Sequence, residues 1–259
     1  MVVALVTGGT SGIGAAFARN LAARGYDLVL IARSTEGLEA MATEIRALGR
    51  TVETMQVDLN DRKAVDRVAA RLEDPERPID MLVNNAGFSV HSALTDPDVS
   101  AHDRGFEVMC RAVLVLSGAA ARGMMPRGTG AIVNVSSTAG FITMGSYSAI
   151  KAWVTSFSEG LSIELKGTGV TVTALCPGWV HTNFHDRAGV STSKIPNSMW
   201  VDAEQLVQAC LRDVARGKVI SIPTIRYRVL IWLARHAPRR AIRSISGSIS
   251  SSRRKPVAP

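Results

Sequence analysis

Cysteine is scarce in this sequence, and its spacing suggests no pairing. The 259 residues include only Cys110, Cys176 and Cys210, with no Cys-x-x-Cys motif among them. An odd number of widely spaced cysteines argues against a disulfide framework and favours a reducing compartment. The first residues lack a cluster of positive charge and run directly into an apolar stretch, which does not predict a secretory signal. We therefore expect a cytoplasmic protein.

Long hydrophobic runs and clusters of metal ligands are also missing. The longest uninterrupted apolar runs, such as 229–234, have six residues, whereas roughly 18 are needed to span a bilayer, so no transmembrane helix is predicted. His181 and His185 stand four apart with Asp186 beside the second. A closed zinc site would need a cysteine or a further histidine at suitable spacing, and we predict no metal site. His102 is predicted to lie on the surface or in a loop.

Acidic residues are absent from the last part of the chain. Residues 214–259 contain eleven Lys or Arg and no Asp or Glu, whereas the other 213 residues carry 19 basic and 22 acidic side chains. An apolar block around Trp232 alternates with arginines, which favours weak contact with an anionic membrane surface. The alternative is that the block docks on the subunit or on an oligomer partner. Since no zinc-finger or RNP pattern accompanies the positive charge, no specific nucleic-acid partner is predicted.

The body of the sequence alternates short apolar runs with stretches of helical period, which is typical of repeated βα units. Several runs are almost continuously apolar, as expected when helices cover both faces of a parallel sheet. We predict an α/β fold, in which residues 1–225 form a single doubly wound Rossmann-type domain and residues 226–259 form a basic C-terminal extension. The predicted strands lie near 2–7, 27–32, 51–57, 79–83, 130–136, 169–175 and 219–222.

A glycine-rich turn joins the first predicted strand to a helical run that starts at Ala15. The turn reads Thr-Gly-Gly-Thr-Ser-Gly-Ile-Gly over residues 7–14. Glycines let the backbone turn tightly and approach a pyrophosphate, and the following helix offers free N–H groups and the positive end of its dipole. The turn lacks the Gly-Lys-Ser/Thr of a nucleoside-triphosphate site. It therefore predicts a dinucleotide and disfavours ATP chemistry.

The residue after the second predicted strand indicates which dinucleotide is bound. Arg33 follows that strand, where the adenosine ribose lies in dinucleotide-binding folds, and the first carboxylate after it is Glu36. A cation at this point accommodates a 2′-phosphate. NADP(H) is therefore predicted over NAD(H).

A tyrosine and a lysine provide the candidate chemistry. Tyr147 and Lys151 stand four apart in a helical stretch, and Tyr147 comes ten residues after Ser137. Side chains four apart share one helix face. A lysine ammonium beside a phenol lowers the pKa of the phenol, which makes tyrosine a usable general acid for carbonyl reduction. Ser137 is expected to hydrogen-bond the substrate oxygen.

Together these motifs resemble the short-chain dehydrogenase/reductase family, in its NADP-preferring, ketoacyl- and carbonyl-reductase-like branch. The resemblance implies that Tyr147 donates the proton, that Lys151 tunes it and holds the nicotinamide ribose, and that Ser137 orients the carbonyl. It also implies a homodimer or homotetramer formed through the helices around 104–126 and 146–166. The matching motifs span about residues 2–222 and are 7–14, Asp58-Leu59, Asn84-Asn85-Ala86-Gly87, Asn134-Val135-Ser136-Ser137, Tyr147 with Lys151, and 177–182.

The resemblance extends the set of expected cofactor contacts. Asp58 would read the adenine, the segment that starts at Asn85 would pass the adenosine ribose, and 177–182 would contact the nicotinamide and the pyrophosphate. Asn84 and Asn85 have an alternative structural role, because buried amides can tie loop backbone to a sheet. The predicted cofactor-binding residues are Gly8, Thr10, Ser11, Gly12, Ile13, Gly14, Arg33, Ser34, Asp58, Leu59, Asn85, Ala86, Gly87, Tyr147, Lys151, Pro177, Gly178, Val180 and Thr182.

Two features depart from the family pattern. Cys110 falls where the family has an asparagine that helps to hold a water near the catalytic lysine, and a thiol is a poor replacement for an amide; alternatively, Cys110 is a small buried residue. The interval between Ser137 and Tyr147 is shorter than usual, which predicts a short loop over 138–146 and a more open substrate entrance. Both departures motivate a rival hypothesis, a cofactor-binding regulatory protein with little catalysis.

The residues expected around the substrate are largely apolar. By the resemblance, 183–201 forms a substrate lid. These side chains favour a hydrophobic or acyl-chain-like ketone, although packing against the fold or a second subunit explains them equally well. We predict an NADPH-dependent oxidoreductase that reduces such a ketone to a secondary alcohol. The apolar residues of the lid and the facing loops are Phe184, Ile195, Met199, Trp200, Phe88, Val90, Phe141 and Met144.

Overall fold

All seven predicted strands are present in the computed structural model, which describes residues 2–90, 92–182 and 196–251. They form one sheet, in which every pair of neighbours is parallel. The strands are β1 (Val3–Thr7), β2 (Asp27–Ala32), β3 (Val52–Gln56), β4 (Met81–Asn84), β5 (Gly130–Val135), β6 (Val170–Leu175) and β9 (Ile220–Ser221). Their order across the sheet is β3-β2-β1-β4-β5-β6-β9. The predicted doubly wound fold is confirmed.

Helices cover both faces of this sheet. The described helices are α1 (Gly12–Ala23), α2 (Thr35–Ala47), α3 (Arg62–Glu73), α4 (Ser100–Phe106), α5 (Ala112–Met124), α6 (Gly145–Glu164), α7 (Ala203–Ala215), α8 (Ile225–His236) and α9 (Arg239–Ser251). One hydrophobic core lies between the sheet and α1, α2 and α7, and a second lies between the sheet and α3, α5 and α6. Strand residues alternate between the two cores, so that Leu5 faces one and Val6 the other.

Helices α4 and α5 are joined by a π-helical turn, Glu107–Arg111, into one long helix. Among the described residues, this helix, Ser100–Arg127, is the one with the length and composition of a membrane span. No long uninterrupted apolar run marks this helix in the sequence, because Ser117 divides the apolar stretch. Met109 and Leu116 are buried in the core against the sheet, so the apolar side of this helix is covered by the domain itself.

Two short strands outside the main sheet were not predicted. Strand β7 (Trp179–Val180) pairs in parallel with β8 (Trp200–Val201). The extension that follows β9 begins with α8, whose Tyr227 and Ile231 are buried against the domain. These elements bring the end of the chain next to the carboxyl ends of the strands.

Candidate functional site

The carboxyl ends of β1 and β4 form the crevice of this sheet. The chain continues from β1 to one side and from β4 to the other, and such a switch point is where doubly wound folds bind their ligands. The loops that follow these two strands are tied together. The Asn85 amide donates to the carbonyl oxygens of Thr7 (2.9 Å) and Gly8 (3.2 Å), and the backbone N–H groups of Asn85 and Ala86 donate to Thr7 Oγ1 (both 3.0 Å). Asn85 therefore holds the glycine-rich turn in place.

The glycines of the turn are required by close backbone contacts. Gly8 and Gly12 have φ values of +65° and +54°, which side chains with a Cβ rarely adopt. A Cβ on Gly14 would lie 2.1 Å from the Gly8 carbonyl oxygen. Helix α1 therefore begins at Gly12, earlier than the predicted start at Ala15, and its first turn carries no acidic residue. This bare, positively polarised helix end fits a pyrophosphate.

The opposite end of the turn lies beside the start of α2. Ser34 Oγ accepts a hydrogen bond from the Gly37 backbone N–H at 3.1 Å, so Ser34 caps α2. Thr10 Cβ is 3.4 Å from the point where a Cβ of Gly37 would be. The Arg33 side chain is exposed and forms no salt bridge with any residue that the structure describes. Arg33, Ser34 and Thr10 place a guanidinium and two hydroxyls at this end of the turn, where a 2′-phosphate would bind.

The remaining predicted cofactor contacts differ in what they present. Asp58 is exposed, and its Oδ1 accepts from the Asn60 backbone N–H at 3.0 Å. Leu59 and Val180 are buried in the two cores, and Ile13 packs partly against one of them. The structure therefore leaves their backbone, and not their side chains, for a cofactor.

The predicted catalytic pair comes together despite the short interval between them. The Ser137 side chain lies close enough to the Tyr147 hydroxyl to lower the pKa of the phenol. The loop between them contains a 3-10 turn, Thr138–Phe141, and packs directly on α6, since a Cβ on Gly140 would lie 2.8 Å from the Ala152 backbone nitrogen. The short loop therefore brings the two hydroxyls together by a direct path.

Lys151 is held below this pair. Its side chain is buried, and its Nζ donates to the Val135 carbonyl oxygen at 2.8 Å and lies 5.8 Å from the centroid of the Tyr147 ring. Burial lowers the pKa of Lys151 to about 8. A Cβ on Gly87 would be 3.7 Å from Nζ, so the ammonium also faces the loop after β4.

The predicted lowering of the Tyr147 pKa is not what the structure has. Burial raises the pKa of the Tyr147 phenol to about 12, and the Ser137 side chain opposes that rise only in part. Lys151 does not reverse this rise; its Nζ donates to the Val135 carbonyl oxygen and lies 5.8 Å from the ring centroid. In this structure the phenol is a protonated group at neutral pH.

Cys110 lies where the resemblance put it. It is buried in the π-helical turn, a feature that is frequent at functional sites. Burial raises the pKa of its thiol to about 11, and the Lys151 charge opposes this. A neutral thiol therefore faces the lysine.

Asn84, for which a structural role stayed open, is buried and donates to Ser117 Oγ (3.0 Å) and Asn134 Oδ1 (2.9 Å), which ties β4 to α5 and β5.

Tyr227 is a residue of this region that the sequence patterns missed. Its hydroxyl accepts from the Trp179 backbone N–H at 2.9 Å and donates to the Met199 carbonyl oxygen at 2.8 Å. A Cβ on Gly178 would lie 1.9 Å from its ring, so only glycine lets the tyrosine pack on the 177–182 segment. The one signal in the sequence was a lone tyrosine between Arg226 and Arg228 in the basic block.

His102 was also wrongly assigned to the surface. It is buried, and its Nδ1 lies 2.7 Å from Ser146 Oγ, one residue before the catalytic tyrosine. His181 stacks on Trp200 with 4.6 Å between ring centroids. Of the predicted lid, Phe184, His185, Asp186 and Ile195 lie outside the described residues.

The basic extension packs against the short catalytic loop. The Arg235 guanidinium carbon is 4.9 Å from the centroid of the Phe141 ring, and the Thr143 backbone N–H donates to the buried Ser246 Oγ at 3.3 Å. The sequence predicted a more open entrance at this loop. The structure instead has α8 and α9 alongside it, because the extension occupies the space next to the shortened loop.

Comparison with known proteins identifies the family. Residues 2–190 match the short chain dehydrogenase family. A solved short-chain dehydrogenase from Sphingobium yanoikuyae in complex with NADPH is 32% identical, with 100% of this chain and 99% of that chain covered and a TM-score of 0.81. The bulky-bulky ketone specific alcohol dehydrogenase from Comamonas testosteroni is 29% identical over 100% of this chain and 97% of its own, with a TM-score of 0.78.

A curated relative gives the same result. The NADP-dependent 3-hydroxy acid dehydrogenase of Salmonella typhi is 36% identical over 190 residues, which are 69% of this chain and 73% of that protein. The parallel sheet and its strand order agree with these similarities. The chain belongs to the short-chain dehydrogenase/reductase family of oxidoreductases.

Proposed function

We propose that this oxidoreductase uses NADPH to reduce a bulky hydrophobic ketone to a secondary alcohol, with Tyr147 as the proton donor. The observation that carries the proposal is the approach of the Ser137 side chain to the Tyr147 hydroxyl beside the buried Lys151. Two hydroxyls that converge at the carboxyl end of β5, next to the cofactor crevice, suit a substrate oxygen that must receive a proton.

The residues of the chain have separate tasks in this mechanism. NADPH, when bound, supplies the hydride. Tyr147 gives its hydroxyl proton to the carbonyl oxygen, so an O–H bond forms on the substrate and a phenolate is left. Ser137 donates a hydrogen bond to the same oxygen. The Lys151 ammonium, 5.8 Å from the ring centroid, stabilises the phenolate until solvent returns the proton.

The raised pKa of Tyr147 suits the direction of reduction. A phenol with a pKa of about 12 is protonated at neutral pH, so the acid form needed for reduction is the resting form. Once the proton has left, the ammonium of Lys151 stabilises the phenolate charge.

The cofactor preference rests on the adenosine end of the crevice. Arg33, with the Ser34 and Thr10 hydroxyls beside it, would bind the 2′-phosphate of NADP(H). Asn85, Gly87 and 177–182 would line the path from the adenosine to the nicotinamide. The NADPH complex of the Sphingobium relative and the NADP-dependent Salmonella relative support the same cofactor.

Apolar surroundings and one relative support a bulky ketone as the substrate. Phe141 and Met144 lie on the loop between the two catalytic hydroxyls, and the Comamonas relative is described as specific for ketones with two bulky substituents.

The test is NADPH oxidation, followed by absorbance, with a panel of bulky aryl and alkyl ketones. Wild type is expected to turn over at least one of them, and Tyr147→Phe is expected to lose a factor of about 10² to 10⁴ in kcat, the usual contribution of a general acid. Tyr26→Phe, a tyrosine remote from the crevice, is the matched control. Tyr147→Phe should still bind NADPH, and full turnover in that variant would overturn the proposal.

The same assay separates the rival hypothesis of a regulatory protein. NADPH binding without turnover by wild type, together with turnover by Cys110→Asn, would favour that rival, because the amide restores the family's usual residue. Turnover by wild type with little change in Cys110→Asn would exclude it.

We also propose a homo-oligomer in the cytoplasm. Exposed apolar side chains on the helices of the expected interface, Phe106, Leu114 and Ile163, support the oligomer, and light scattering on the purified chain tests it. The three cysteines are buried and form no disulfide, which suits a reducing compartment. Cell fractionation tests that location.

A further inference from the structure

We propose that the outer face of α8, with the basic groove beside it, binds an anionic membrane surface. This proposal goes beyond the catalytic function and does not depend on it. It rests on three observations: an apolar stripe that the domain leaves uncovered, a group of cations next to it, and the pairing of the groove's acidic residue, Asp213, with Lys218 and Ser221.

Helix α8 is apolar on two sides. Its inner side packs on the domain through Tyr227 and Ile231. Its outer side exposes Ile225, Val229 and Trp232, which are spaced to share one helix face and are 71%, 51% and 59% exposed. Leu230 and Leu233 beside them are 44% and 51% exposed. Contiguous exposed apolar side chains of this size mark an interaction surface.

A basic groove adjoins the stripe. One surface pocket is lined by Arg212, Arg216, Lys218 and Arg228, and Arg228 also borders the hollow formed by Ile225, Val229 and Trp232. The three arginines make no salt bridge with any residue in the described part of the chain.

The acidic residue in this groove is already engaged. Asp213 accepts from Lys218 Nζ at 2.6 Å and from Ser221 Oγ at 2.9 Å. The groove therefore keeps three arginine charges for a ligand outside the chain. Hydrated guanidinium groups beside a tryptophan and branched aliphatic side chains match the boundary between lipid headgroups and acyl chains.

Charge decides between a bilayer and a second copy of the chain. A twofold dimer places the same patch of each subunit against the other. Here that would bring arginines against arginines, with no Asp or Glu in 214–259 to offset them. An anionic bilayer complements both the arginines and the apolar stripe, because its phosphates pair with the arginines and its acyl region receives Trp232.

The outer face of α8 lies close to the loop between Ser137 and Tyr147. The Arg235 side chain of the same helix contacts Phe141 on the catalytic loop. A bilayer on the outer face of α8 would lie beside the loop that carries the catalytic hydroxyls, so apolar compounds dissolved in the membrane would have a short path to the site.

The experiment is co-sedimentation of the full chain with vesicles of phosphatidylcholine alone and of phosphatidylcholine with phosphatidylglycerol. Binding is expected only to the anionic vesicles and is expected to weaken with added salt. The triple variant Arg212→Gln, Arg216→Gln, Arg228→Gln should bind on the order of a hundredfold more weakly, since each cation near an anionic surface contributes about fivefold. The matched control replaces the exposed Arg24, Lys63 and Arg67 by Gln and should bind like wild type.

A second pair of variants tests the apolar stripe. Val229→Ser with Trp232→Ser should weaken binding, whereas Leu48→Ser with Leu94→Ser, which are also exposed, should not. Failure of wild type to bind anionic vesicles, or equal binding by both triple variants, overturns the proposal. A smaller oligomer on loss of Val229 and Trp232 without vesicle binding would assign the face to a second copy. Binding of duplex DNA that replaces vesicle binding and ignores the apolar variant would assign it to nucleic acid.

Discussion

The two ends of the cofactor crevice are built in opposite ways. At the catalytic end, Lys151 is 5% exposed and donates a hydrogen bond to a backbone carbonyl, and the Ser137 side chain lies close enough to the Tyr147 hydroxyl to lower its pKa. At the adenosine end, Arg33 and Asp58 are exposed, and Ser34 caps α2. The catalytic end is held by contacts within the protein, whereas the adenosine end presents charged side chains to solvent.

This difference follows from what each end has to do. A proton donor must be held within hydrogen-bond reach of the reacting oxygen, and burial with backbone contacts holds it there. Selection of a phosphate needs only a cation that can pair with it, and an exposed arginine loses little by waiting in water. Substitutions at the catalytic end should therefore alter stability together with chemistry, whereas those at the adenosine end should alter cofactor choice alone.

The largest expected effect is on stability at the catalytic end. Lys151 has a folded pKa of about 8, below the value of about 10.4 for an unfolded lysine. Below pH 8 the folded state carries the full cost of burying the charge, about 3 kcal/mol by the size of the shift. Between pH 8 and about 10.4 the unfolded state binds more protons, so the contribution of Lys151 to stability rises with pH.

Urea unfolding from pH 7 to 10 of wild type and Lys151→Met measures this contribution as a difference. The subtraction is needed because the buried thiols of Cys110, Cys176 and Cys210 have raised pKa values. They lower the stability of both proteins as pH rises above about 8.5. A difference that stays flat with pH would show that the lysine is not held as a buried charge.

The next effect is on cofactor choice at the adenosine end. Arg33→Ala removes the cation expected at the 2′-phosphate, and a charge-assisted hydrogen bond contributes about 1.5–3 kcal/mol, or roughly tenfold to a hundredfold in affinity. NADPH binding should weaken by that factor while NADH binding changes little, as measured by cofactor fluorescence. Arg24→Ala is the control for an exposed arginine elsewhere. An unchanged preference in Arg33→Ala would remove the assignment, and an unchanged melting temperature is expected in both variants.

The smallest effect concerns the contact that links the extension to the crevice. Tyr227→Phe removes the hydroxyl between the Trp179 N–H and the Met199 carbonyl, and one hydrogen bond contributes about 1 kcal/mol, or roughly fivefold. NADPH affinity should fall by about that factor, because 177–182 is expected to contact the cofactor. Tyr26→Phe should leave the affinity unchanged. If Tyr227→Phe lowers the melting temperature without any loss of affinity, the tyrosine supports the fold alone.

Prediction from the sequence succeeded where the signal was local. The strands were placed within about two residues of their observed bounds, because buried parallel strands are nearly continuous apolar runs. The turn over 7–14 and the spacing of Tyr147 and Lys151 also carry their meaning in a few neighbouring residues. The sequence predicted a helix around 104–126, but only the structure places it against the sheet, since a helix that packs on a sheet and one that faces lipid can have the same composition.

Prediction failed where the environment comes from distant segments. Burial raises the pKa of the Tyr147 phenol, and the ammonium of Lys151 donates to the Val135 carbonyl oxygen. His102 is buried by its contact with Ser146, and Tyr227 meets Gly178 from a helix that follows it by many residues. Each of these contacts joins residues that are distant in the sequence, so no local pattern predicts it.

The sequence by itself determined the doubly wound fold, and it predicted the dinucleotide turn, the arginine that follows β2 and the catalytic group, because each is written in a short pattern of residue types. Only the tertiary structure decided that the short loop joins Ser137 directly to Tyr147, that the tyrosine rests as a protonated phenol, and that the basic extension packs beside the site. Burial and the approach of distant segments set these properties, and both arise only when the chain has folded.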